Sequence, residues 1–151
     1  MKNKLIVLGL LCLPMLFSAC SRKLEPVELY PDDMCSHCRM AISEPSFAAE
    51  ILTPDGEALK FDDIGCMKTY LGQAGVATPA MTFVKDYTTR EWRPMATSVI
   101  LVTNIQTPMG SGYIAFADSN KAREFERVHP SSSVSAGIDT HEYPKNTTEI
   151  K

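Results

Sequence analysis

The chain has 151 residues, with 15 Lys and Arg against 18 Asp and Glu, a formal charge of −3, and 44% hydrophobic residues. That length admits one compact domain with a real core. The acidic balance, with no basic stripe to neutralise phosphates, speaks against nucleic acid as a partner.

The N-terminus reads as a lipoprotein signal peptide over residues 1–19. Lys2 and Lys4 give a short positive region, and Leu5 to Phe17 is apolar apart from Gly9 and Pro14. The run is too short and wrongly flanked for a spanning helix. Leu16-Phe17-Ser18-Ala19-Cys20 resembles a bacterial lipobox, in which the Cys20 thiol is acylated and becomes the new N-terminus; an ordinary cleavable signal ending near Ala19 is the alternative. Acylation predicts a membrane lipoprotein facing the periplasm or the cell surface, because each buried methylene adds about 0.8 kcal/mol of anchoring. Removing residues 1–19 takes away two lysines and moves the charge to −5. Three thiols then remain, at Cys35, Cys38 and Cys66. An odd number cannot all pair within the chain, so one is free, metal-bound or joined to another molecule.

Residues 20–33 are polar, with Pro26 and Pro31, and read as a tether. Phe47 to Leu52 reads as a strand, Thr53-Pro54-Asp55-Gly56 as a turn, and Glu57 to Phe61 as the returning strand. Asp62 is placed to cap a helix over Asp63 to Gly72. Met81 to Tyr87 and the β-branched run Val99 to Thr103 read as strands. Thr107-Pro108-Met109-Gly110 is a second turn, followed by a strand at Tyr113 to Phe116 and a helix capped by Asp118 or Ser119 that runs to Val128. From residue 130 onward Ser, Thr, Pro and Lys dominate, and a disordered tail over 130–151 is expected. The domain proper is thus placed at 34–129.

The two halves share a pattern. Thr53-Pro54-x-Gly56 precedes Phe61-Asp62-Asp63 and a helix; Thr107-Pro108-x-Gly110 precedes Phe116-Ala117-Asp118 and a helix. This predicts an α+β fold of two repeated strand-strand-helix units. The third turn position is Asp55 in one half and Met109 in the other, and an apolar side chain at a loop tip is the less expected choice.

Cys35-Ser36-His37-Cys38-Arg39-Met40 concentrates two thiols and a thioether in six positions. Soft sulfur donors favour Cu(I) over harder metals. A structural zinc site wants four closed ligands, and no second Cys-x-x-Cys or His-x-His pair completes one. A thioredoxin-like site needs the motif after a strand and at a helix start, where the helix terminus lowers the thiol pKa; Glu44-Pro45-Ser46 follows here instead. A plain Cys35–Cys38 bridge is the remaining alternative. Met109 could add a donor from the second turn. Cys66, beside Ile64, Met67 and Leu71, reads as a small buried apolar residue rather than a ligand. His129 and His141 read as solvated, Trp92 as a core or edge anchor, and Asp62-Asp63 as helix caps.

The run Cys35-x-x-Cys38-x-Met40-x-Ile42, then Phe61-Asp62-Asp63-Ile64-Gly65-Cys66-Met67, then Thr107-Pro108-Met109-Gly110-x-Gly112-Tyr113-x-Ala115-Phe116, resembles the NosL family of lipoprotein accessory factors of nitrous oxide reductase. The resemblance implies a small α+β domain of two strand-strand-helix units, also seen in organomercurial lyase. It further implies a non-enzymatic, periplasm-facing Cu(I) chaperone serving nitrous oxide reductase or its assembly machinery. Cys35, Cys38 and Met40 would be the metal-binding motif and Met109 the loop methionine. The family usually has glycine where Arg39 stands, and arginine disfavours the positive φ that glycine permits. The competing reading is a thiol-based enzyme, organomercurial-lyase-like or disulfide-exchanging, at Cys35, Cys38 or Cys66.

Overall fold

The structure, a computed structural model, describes residues 24–130 and 132–134. The expected signal peptide with Cys20, and the expected tail beyond residue 134, lie outside the described residues. Among the described residues the strands and α-helices run in order: β1 (Ala49–Leu52), β2 (Ala58–Phe61), α1 (Ile64–Leu71), β3 (Met81–Lys85), β4 (Trp92–Pro94), β5 (Val99–Val102), β6 (Tyr113–Phe116), α2 (Ser119–Val128) and β7 (Ser133–Val134). The α+β class is as expected, and β1-β2-α1 and β5-β6-α2 are the two strand-strand-helix units.

The strands form two antiparallel sheets, one ordered β2-β1-β3-β4 and the other β6-β5-β7. Both Thr-Pro turns close alike: Gly56 N–H donates to Thr53 O and Gly110 N–H to Thr107 O, each at 2.9 Å, with both glycines at positive φ. Only glycine takes that conformation freely. Successive strand residues face opposite sides. Ala49 and Ile51 therefore pack with Phe61, Ile64 and Met67 beneath α1, each large side chain contributing roughly 1.5–3 kcal/mol. A second cluster, Leu101, Ile114, Phe116 and Ala122, lies under α2, where Tyr87 meets the rings of Phe116 and Phe125 edge-on.

The two units are joined by Asp86, just past β3. Its Oδ1 accepts from Thr88 N–H (2.9 Å) and Thr89 N–H (2.7 Å), and its Oδ2 from Ala117 N–H (2.7 Å) on the far unit. A bridge between Asp86 and Ala115 completes the seam.

Four local readings need correction. The cap of α1 is Asp63 rather than Asp62: Asp63 Oδ1 accepts from Cys66 N–H, two residues into the helix, whereas Asp62 accepts from Ser43 N–H. Phe47 belongs to a 3-10 turn (Pro45–Phe47), since Pro45 suits the first position of a helical turn and delays the strand. The second half of the tether is part of the domain. Val27 N–H donates to the Glu50 carboxylate, Lys60 Nζ reaches Glu28 O (2.8 Å) and Asp33 (2.6 Å), and Leu29 packs on the core. Glu50, on the face of β1 opposite Ile51, is fully buried and needs these partners. Lastly, Ser133–Val134 are not tail but an edge strand on β5, using backbone hydrogen bonds to which side-chain composition is blind.

Trp92, as expected of an anchor, packs on the first cluster at the sheet edge, with Lys85 Nζ 4.4 Å from its ring centroid.

Candidate metal centre

The Cys35–Met40 segment is a tight loop. Cys35 N–H donates to Met40 O (2.8 Å), Arg39 N–H to Cys35 O (3.0 Å), and Met34 pairs with Ala41 at its base. Ser36 N–H donates to Lys60 O (2.8 Å), which fastens the loop to the end of β2. Two residues later the chain enters α1, whose first turn carries Cys66. The strand-to-helix junction thus brings a residue 28 positions downstream of Cys38 against the loop. The sulfurs of Cys35, Cys38 and Cys66 all lie within 4.8 Å of one another, and all three thiols are free.

Arg39 adopts φ 65, so the loop takes the left-handed turn despite lacking glycine. Holding an L-residue there costs roughly 1–2 kcal/mol, offset in part by glycine's greater chain entropy. Arg39→Gly is expected to raise unfolding free energy by about 1 kcal/mol or less, measured by urea denaturation. A loss of stability would show that the arginine side chain holds the loop.

The three thiols differ. Cys35 is fully buried, and burial pushes its thiol up. The N–H groups of Cys38, Asp62 and His37 that point at its sulfur outweigh that and hold it below the ordinary thiol value. Converging backbone N–H groups of this kind make a site for an anion. Cys38 and Cys66 are both held above it, first by burial and then by the neighbouring Cys35. Cys35 is therefore the most acidic thiol of the cluster, and the other two hold their protons more tightly.

An open cavity of about 700 Å³ leads to the cluster, lined by His37, Cys38, Asp63, Cys66, Lys68, Met109, Ser111 and Tyr113 among others. Cys38 and Cys66 form its floor, with Cys35 enclosed behind them. Across it, Lys68 Nζ sits over the Tyr113 ring and donates to its hydroxyl (3.0 Å). Met109 reaches this cavity from the second Thr-Pro turn and is 40% exposed. Met40 is 55% exposed and is not among the lining residues; what it gives the loop is its backbone oxygen.

Of the sequence-predicted ligands, Cys38 and Met109 line the cavity and Cys35 joins Cys38 through the sulfur cluster behind it, whereas Met40 belongs to neither. It adds Cys66, which the sequence had placed in the core. Cys66 is indeed buried, at 4% exposure, but its sulfur faces the other two. The signal that could have found it was its position: the third residue of a helix starts near the same strand end as the Cys-x-x-Cys loop.

The family model described as NosL matches residues 26–136. No curated protein is significantly similar to the chain. Among solved structures, the copper chaperone NosL from Shewanella denitrificans is similar in fold, with a TM-score of 0.68 over 77% of this chain and 95% of that one, at 15% identity.

Proposed function

The chain belongs to the NosL family, and from that premise we propose that it is a lipid-anchored Cu(I) chaperone, held at a bacterial membrane through Cys20 and facing the periplasm. The observation that carries the metal reading is the three-thiol cluster, two of whose members line an open cavity. Three soft donors suit Cu(I), and an open approach lets a partner's ligands displace them one at a time. The leader and lipobox support the anchor. Family membership supports nitrous oxide reductase, or its assembly machinery, as the client. Binding and ligand exchange suffice for this role, and no bond of a substrate need be broken.

Capture begins at Cys35, the thiol of the three that gives up its proton most readily. The cation then draws Cys38 and Cys66 into the anionic form, each releasing the proton that burial had kept on it. Met109 offers a neutral thioether at the mouth, where it can be exchanged first. Protons therefore compete with the cation. Affinity falls as pH falls, by about tenfold per pH unit for each proton displaced.

The test is Cu(I) titration of the reduced, oxygen-free protein against a competing chelator at several pH values. Wild type is expected to bind with a pH slope of at least one proton, and Cys35→Ser/Cys38→Ser to lose binding. Equal affinity in both would remove the thiol-ligand reading, and turnover of a disulfide or organomercurial substrate by the wild type would replace it with a thiol-based enzyme.

A further inference from the structure

Helix capping needs one carboxylate oxygen, and Asp63 commits both. Its Oδ1 accepts from Cys66 N–H at 2.8 Å. Its Oδ2 accepts from Thr107 Oγ1 (2.9 Å), Ser111 Oγ (2.9 Å) and Met109 N–H (3.3 Å). Asp118, the matching cap of α2, is exposed and accepts from Asn120 N–H. Asp63 is fully buried. Capping thus accounts for half of what this carboxylate does. The other half fastens the 107–111 loop to the start of α1.

We propose that Asp63 is the positioning residue of the metal centre, holding Met109 over the thiols because one carboxylate grips the backbone N–H groups of both Cys66 and Met109. The inference rests on the copper reading above and adds to it the part that fixes the thioether. Gly65 supports the same arrangement from the helix side: a Cβ there would lie 2.3 Å from Ser111 Cβ. Only a residue without a side chain lets the loop come this close. Thr107 Oγ1, held by Asp63, in turn accepts from Gly112 N–H (3.2 Å), so the turn is braced at both ends.

The chemistry of the substitution is specific. Asparagine at 63 can keep its oxygen on Cys66 N–H and preserve the cap, but its amide then presents a donor to the Met109 N–H, also a donor. Gly65→Ala leaves every sulfur intact and improves helix propensity, while its Cβ, 2.3 Å from Ser111 Cβ and 3.2 Å from Asp63 Oδ1, pushes Ser111 and the loop away from the start of α1. Neither variant touches a sulfur ligand.

The experiment is a double-mutant cycle on Cu(I) affinity, measured with a competing chelator, among Asp63→Asn, Gly65→Ala and Met109→Leu, alongside amide hydrogen exchange of the copper-free proteins. Met109→Leu, Asp63→Asn and Gly65→Ala are each expected to weaken binding by about tenfold. Combining Met109→Leu with either of the others should add almost nothing, since the thioether is already displaced. Exchange at Met109 and Ser111 should rise in Asp63→Asn and Gly65→Ala, with that of α1 unchanged. A Met109→Leu factor that is the same in wild-type and Asp63→Asn backgrounds would overturn the proposal, as would a Met109→Leu variant that binds like wild type. Wild-type protein that binds no Cu(I) would overturn the copper reading instead. In that case the exchange data alone decide: unchanged protection at Met109 and Ser111 overturns the positioning role as well.

Discussion

Cys66→Ala is expected to weaken Cu(I) binding by more than the ~10–100-fold that loss of an outer partner of a metal site causes, while leaving the protein folded. Alanine keeps a small apolar group in the space that Cys66 occupies beside Ile64 and Met67, so the core cost is small. What is lost is a sulfur within 4.8 Å of the two others. Met40→Leu, by contrast, should leave affinity within a few-fold of wild type, because that side chain is exposed and outside the cavity. The pair of variants separates the arrangement in space from the arrangement along the chain. Chelator competition and a thermal melt on each protein make the comparison. Wild-type affinity in Cys66→Ala would return Cys66 to the core and leave Cys35 and Cys38 as a two-sulfur site. A large loss in Met40→Leu would mean that the loop reopens on metal binding to bring its thioether in.

Asp86→Asn is expected to be the most damaging single change to the fold, at about 3–5 kcal/mol near neutral pH. Three backbone N–H groups converge on a carboxylate that is only 3% exposed. Hydrogen bonds to a charged group contribute ~1.5–3 kcal/mol each, less than additively. The amide can serve at most part of this set. The carboxyl lies below its ordinary value: burial alone would raise it, and the N–H groups of Ala117, Thr89 and Thr88 more than reverse that. A depressed folded value means the stabilisation is present above the unfolded value of ~3.9 and is lost as pH falls through the folded one. Glu50 and Asp62 run the opposite way. Burial holds both above the ordinary carboxyl range, so protonation favours the folded form. The quantity to measure is therefore the difference between Asp86→Asn and wild type in urea unfolding across pH 3 to 7. It should be large at the upper end and shrink below about pH 4. A difference that stays constant with pH would assign the loss to shape rather than charge.

The sequence by itself determined a good deal. The strands at Val99 to Val102 and Tyr113 to Phe116, both Thr-Pro turns and the helix beginning after Asp118 are local matters of β-branched residues, positive-φ glycines and capping, and each was legible. So was the duplication, because the two units repeat the same local signals. The Cys35-x-x-Cys38 loop carried its soft-donor chemistry in its spacing. Tertiary structure alone decided which third sulfur joins it. Met40 is adjacent in sequence but turns outward, because an L-residue at φ 65 and the Cys35–Met40 backbone bond fix the loop's exit. Cys66 is distant in sequence but is delivered by the junction of β2 with α1. The same holds for Asp63, which capping explained so well that its second oxygen was invisible. Its partners Thr107, Met109 and Ser111 lie more than forty residues away, and hydrogen bonds of that span leave no periodicity or local motif to read. Local propensities write the elements; only their packing brings donors from three separate segments to one place.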